Sequence, residues 1–171
     1  MAGKEHPVVC AGSYGPAGTT YRLTAAGEEL SGVVRELGVW GQRWLPRQLP
    51  ADELDLDALA WDMHRRVNVD ALPVVPVVAR IEITDGRRHV RYLLLRRSEV
   101  SLCATNPGFP DELRVRGRLS TLTGWWRGDL SFRDARSQGL TLDGRREWVR
   151  AFPGWFARYL FAEVAPAAPA S

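Results

Sequence analysis

The chain has 171 residues, 45% of them apolar and 25% charged, with a formal net charge of +3. That length suits one domain, or one domain with an appendage, and lets folding bury about 70% of the unfolded chain's surface. No run of residues approaches the roughly 20 apolar positions of a membrane span, and no charged-then-apolar start suggests a secretory signal. Lys4 is the only lysine. The arginine pairs at 65–66, 87–88, 96–97 and 145–146 are scattered rather than massed, so charge alone gives no nucleic-acid surface. Cys10 and Cys103 lie far apart in sequence, which argues against a disulfide framework and for a cytoplasmic protein.

In chain order, residues 7–24 read as a β-hairpin with the Gly/Pro-rich tip "GSYGPAG". Thr24 is placed to cap a helix whose apolar residues Leu30, Val33, Val34, Leu37, Trp40 and Trp44 recur at helical period. Glycines at 32, 38 and 41 weaken that helix, so it needs a packing partner. "LPRQLP" ends it. A second amphipathic helix is predicted from Asp52 to about Val67, its acidic start and basic end matching the helix dipole. The acidic start, Asp52, Glu53, Asp55 and Asp57, has no His or Cys at ligand spacing and reads as a solvated helix end.

From residue 74 the pattern turns to strands. "VVPVVARIEIT" and "HVRYLLLRR" form a hairpin through Asp-Gly, "EVSLCAT" continues as strand, "NPGFP" is a turn, and "DELRVRGR" is a further strand. Two short helices follow in "LSTLTGWWRG" and "SFRDARSQG", with Gly128 and Gly139 at their ends and Asp129 and Asp134 as caps. "LTLDG" is a short strand, 145–161 a closing helix bent at Pro153-Gly154, and "APAAPAS" a disordered tail.

No phosphate loop, dinucleotide fingerprint, nucleophile elbow or metal-ligand pair occurs. His6, His64 and His89 are isolated, and His64 reads as a cation at a helix end. Neither a catalytic residue, a metal ligand nor a cofactor is therefore assigned. The distinctive content is aromatic: tryptophans and phenylalanines crowd the last third, enough to line an apolar pocket.

Tyr14-Gly15-Pro16, then Tyr21-Arg22-Leu23-Thr24-Ala25-Ala26-Gly27 and Trp40-Gly41, resemble the wing and terminal helix of HxlR-type winged-helix regulators. The helix-turn-helix that reads DNA in that family would lie upstream of residue 13. The resemblance implies weak DNA contact through Tyr14 and Arg22, with sequence-specific binding only if that reader exists upstream. It also implies a homodimer through Leu30, Val33, Leu37, Trp40 and Trp44.

Residues 68–162 are similar to a sterol-carrier-protein-like domain, on Cys103-x-x-x-Pro107-Gly108-Phe109, Leu122-Thr123-x-Trp125 and Phe152-Pro153-x-Trp155. The two resemblances imply an α+β chain in three parts. Residues 1–49 are a winged-helix remnant, a wing hairpin plus helix. Residues 50–164 are a twisted sheet with helices on one face enclosing an apolar cavity, and 165–171 a tail. The cavity residues expected are Trp61, Phe109, Leu122, Trp125, Trp126, Trp155 and Phe156. The function implied is a ligand-responsive regulator that binds an apolar small molecule, away from membranes. A stand-alone binding protein, or a cyclase- or isomerase-like enzyme using the same cavity, are the alternatives.

Overall fold

The computed structural model describes residues 10–11, 23–47, 49–85 and 89–167. Tyr14, Arg22 and the rest of the expected wing tip lie outside them. A six-stranded mixed sheet organises the chain, with β1 Cys10–Ala11, β2 Val77–Ile83, β3 His89–Leu95, β4 Val100–Cys103, β5 Leu113–Gly117 and β6 Thr141–Gly144. The strand order is β1-β4-β3-β2-β5-β6. Only β2 and β5 run parallel.

β2 shows how the sequence sets the two faces. Side chains alternate along a strand, so Val77, Ala79, Ile81 and Ile83 point to one side and Val78, Arg80 and Glu82 to the other. The first set is completely buried against helices α2 Leu56–Arg65 and α3 Leu119–Arg127. The strand order forces the chain from β4 to β5 to cross β3 and β2. It crosses on the Arg80 side, where Asp111 accepts from Arg80 Nη1 at 3.2 Å and Arg114 Nε at 3.0 Å. The "NPGFP" run is therefore a crossover. Asn106 Oδ1 accepts from Gly108 N at 2.8 Å, and Gly108 takes φ +87°, a left-handed turn that glycine adopts without cost.

Helix α1, Ala25–Trp44, starts where expected, with Thr24 Oγ1 accepting from Gly27 N at 3.2 Å. Its last turns dock on the C-terminal segment and on α3. Gln42 is buried and its Nε2 donates to Arg127 O at 3.3 Å, while Ala167 N donates to Arg43 O at 2.9 Å. Gly38 lies so close to the Phe161 ring that an added Cβ would stand 2.2 Å from Cζ.

Several expectations are corrected. The second helix begins at Leu56 rather than Asp52, because Asp55 Oδ1 caps Asp57 N and Ala58 N, and residues 51–53 form a separate 3-10 turn. The closing helix spans only Arg146–Ala151; a 3-10 turn Phe152–Trp155 follows, and Phe156 is extended, bridging to Val67. Ala167, in the expected tail, donates its N–H to Arg43 O at 2.9 Å, while 168–171 lie outside the described residues. β1 pairs with β4. That pairing sets Cys10 opposite Cys103 in the ladder, and Cys103 is buried and disulfide-bonded, contrary to the reading of the cysteines as evidence against disulfides. Asp129 forms ion pairs and does not cap a helix. Ser131 caps α4 Phe132–Ser137, accepting from Asp134 N at 3.1 Å.

Candidate functional site

Helix α3 separates two environments. Asp85 Oδ1 accepts from Leu119 N at 2.9 Å and serves the helix's first free amide, where negative charge also meets the positive dipole end. At the other end Gly128 turns left-handed at φ +84°, and a Cβ there would stand 2.2 Å from Ala162 O. Only glycine lets the C-terminal segment pass.

One face of α3, with Leu122, Trp125 and Trp126, is buried. Trp125 packs among Phe132, Phe152, Trp126 and Phe156 with ring centroids 5.5, 5.8, 6.2 and 6.3 Å apart. Phe152 meets Phe156 at 5.1 Å and Trp155 at 6.0 Å. These spacings are those of rings in direct contact. Trp126 Nε1 donates to Asp62 Oδ2 at 2.9 Å, and Arg66 Nε donates to the same carboxylate at 3.0 Å. These side chains pack together between the helices and the sheet.

Five of the expected cavity residues, Leu122, Trp125, Trp126, Trp155 and Phe156, share this packed core. The other two lie elsewhere. Trp61 is half-buried and stacks on His64 at 5.3 Å, and His64 Nε2 lies 2.9 Å from Val100 O as a donor. This bond to a strand carbonyl, more than charge at a helix end, is the role the structure gives His64. Phe109 sits on the crossover, 45% exposed beneath the Arg96 guanidinium, on the sheet face opposite the ring cluster.

The opposite face of α3 borders an open groove of about 500 Å³. Ser120, Thr123, Gly124 and Arg127 form its α3 wall. Arg47, Leu49 and Leu54 from the connection after α1 form the facing wall, and Leu130 and Gln138 close one end. Asp129 stands between two arginines, with Arg47 Nη1 at 2.6 Å and Arg127 Nε at 3.6 Å. A carboxylate just beyond a helix C-terminus faces the negative dipole end, so it needs cationic partners. Two guanidinium groups on one carboxylate leave a surplus positive charge at the groove. Arg47 also donates through Nη2 to Val164 O at 2.7 Å, and its buried Nε has no partner.

Sequence reasoning missed this set. Its signal was present as the small and polar residues Ser120, Thr123, Gly124 and Arg127, which recur at helical spacing opposite the aromatic stripe. Nothing in "LPRQLP" indicated that Arg47 would reach Asp129. Among the described residues no group of three His, Cys, Asp or Glu side chains is arranged to hold a metal ion, and no helix is long and apolar enough to cross a membrane.

No known family model matches the chain, and no curated protein matches it. Among solved structures it aligns with the stereoselective inverting sec-alkylsulfatase Pisa1 from Pseudomonas sp. at 19% identity and TM-score 0.45, over 57% of this chain and 15% of that one. The chain therefore spans a small part of the sulfatase's length. It also aligns with UbiJ-SCP2, a ubiquinone synthesis protein, at 16% identity and TM-score 0.43, over 71% of this chain and 95% of that one. A third likeness is the solution structure of TT1886 from Thermus thermophilus, described as possibly a sterol carrier protein. The values there are 16% identity and TM-score 0.42, over 69% and 94% of the two chains.

Proposed function

We propose that the chain is a binding module for a small amphiphilic molecule, held in the α3 groove with its apolar part along Leu49, Leu54 and Leu130 and an anionic end toward Arg47 and Arg127. The observation that carries this reading is the groove itself: about 500 Å³, with Leu49, Leu54 and Leu130 set among hydroxyl-bearing residues and two arginines sharing one aspartate. Small-molecule sites are typically clefts of roughly 300–1,000 Å³, mostly apolar with a few fixed polar groups. Arginine's planar fork suits a carboxylate, sulfate or phosphate end. Among the described residues nothing favours a DNA-linked regulator over a stand-alone binding module.

Calorimetric titration with decanoate and decanol, below their micelle or solubility limits, tests the proposal. Decanoate is expected to bind one per chain, at least about fivefold tighter than decanol, since hydrogen bonds to charged groups contribute about 1.5–3 kcal/mol. Thr123→Phe, which fills the groove from an already half-buried position, is expected to abolish saturation while far-UV circular dichroism is unchanged. No saturable binding, or equal binding to Thr123→Phe, overturns the assignment.

A further inference from the structure

The two arginines of the groove are held differently. Arg47 is engaged by the chain itself: Nη1 donates to Asp129 Oδ1 at 2.6 Å and Nη2 to Val164 O at 2.7 Å. Among the described residues Arg127 makes no side-chain contact that short. Its Nε stands 3.6 Å from Asp129 Oδ2 and its Nη2 lies 3.5 Å from Gln42 Oε1. Both exceed the ordinary hydrogen-bond range of about 2.7–3.2 Å. The carboxylate between the arginines is fixed, because Asp129 N donates to Gly124 O at 2.8 Å at the end of α3. The other polar residues of the lining, Ser120, Thr121, Thr123 and Gln138, are uncharged, so Asp129 and the two arginines set the charge of the groove.

We infer that Asp129 selects the charge of the ligand: the groove takes an amphiphile whose polar end carries one negative charge, met by Arg127, while Arg47 holds Asp129 in place. This rests on the reading of the groove as an amphiphile site. The close pair with Arg47 neutralises the Asp129 carboxylate and leaves one guanidinium charge for the ligand. The long contacts of Arg127 yield readily to a charged acceptor, since a hydrogen bond between two charged groups is about twice as strong as one between neutral groups. A monoanion on Arg127 closes the site as a neutral set. A dianion doubles the attraction to that guanidinium, but its desolvation cost rises with the square of its charge. Its second charge also falls beside the Asp129 carboxylate, a like-charge contact that disfavours ionisation of both. The ligand class is therefore a long-chain carboxylate or sulfate ester, and the class rejected is a fully ionised phosphate monoester.

Calorimetric titration of the full chain with decanesulfonate, decyl phosphate and decanol, each below its micelle or solubility limit, tests the inference. The titrations run at about pH 5 and about pH 8, on either side of a phosphate monoester's second ionisation near about 6. Decanesulfonate keeps one charge at both, so it reads any change in the protein, and the ratio of the two anions reads the second charge alone. Decyl phosphate is expected to match decanesulfonate within about threefold at the lower pH and to bind at least about fivefold more weakly at the higher. Asp129→Asn, its fold confirmed by circular dichroism, is expected to abolish that loss, because two guanidinium charges then face the ligand. Arg127→Gln is expected to bring decanesulfonate down to the affinity of decanol. Decyl phosphate that holds or gains on decanesulfonate toward the higher pH overturns the inference while leaving the groove a binding site. No saturable binding of any of the three overturns both. An Asp129→Asn variant that keeps the wild-type ratio, or an Arg127→Gln variant that still prefers decanesulfonate to decanol, overturns the role given to that residue.

Discussion

Two glycines of α1 offer a matched test of how the helix is held. At Gly32 nothing lies within 4 Å of where a Cβ would stand, whereas at Gly38 the Cβ would meet Phe161 Cζ at 2.2 Å and Cε2 at 2.4 Å. Alanine in a helix interior is about 1 kcal/mol better than glycine. Gly32→Ala is therefore expected to gain most of that, and amides of residues 30–44 should exchange about three- to fivefold more slowly. Gly38→Ala gains the same propensity but must displace the ring. Phe161 is only half-buried, so losing its seat costs about 1.5–2 kcal/mol of apolar burial. The net is a loss of about 0.5–1 kcal/mol and exchange about two- to fivefold faster over the same amides. Hydrogen exchange with mass spectrometry at one protein concentration reads both, and the fixed concentration keeps association from biasing the comparison. If Gly38→Ala protects α1 as well as Gly32→Ala does, Phe161 does not hold the helix and the argument fails.

Two further outcomes follow from the core and the crossover. Trp125→Ala removes a side chain that is 1% exposed among four other rings and is expected to cost about 3–5 kcal/mol in urea unfolding; a loss below about 1 kcal/mol would mean that the rings are not close-packed. Hydrogen bonds from Arg114 first and Arg80 second hold the Asp111 carboxyl below its ordinary 3.8. Its contribution is therefore full above about pH 4 and is lost as pH falls through the lowered folded value, since the unfolded state binds the proton first. Urea midpoints between about pH 5 and 2 should fall less steeply in Asp111→Asn than in the wild type, and parallel profiles would refute the pairing.

Local chemistry was legible where it was decided locally. Thr24 as a cap, the β2–β3 pairing, β4 and β5, and the left-handed glycines at 128 and 139 all follow from neighbouring residues. What failed were contacts joining distant segments. The aromatic residues are visible in sequence, but which of them touch one another is set by elements far apart in the chain. The resemblance places Phe109 with Trp125 in one cavity, whereas the strand order sends residues 104–112 across the other face of the sheet. Arg47 meets Asp129 across 82 residues, a distance no periodicity spans. The stripe of Leu30, Val33, Leu37, Trp40 and Trp44 on α1, exposed in the structure, was readable at once, since helical spacing is local; the docked side of α1 was not, because Phe161 and Arg127 arrive so much later.

That late arrival matters during synthesis. Arg47 Nη2 bonds Val164 O across 117 residues. At about 5–20 residues per second, roughly 6–24 seconds separate the making of α1 from that of the segment it docks on. For that interval the Gly38–Gln42 side of the helix lacks its C-terminal cover, and the apolar stripe beside it is exposed as well. The nascent protein carries an apolar helix through that interval, which makes α1 a surface that a ribosome-bound chaperone would bind.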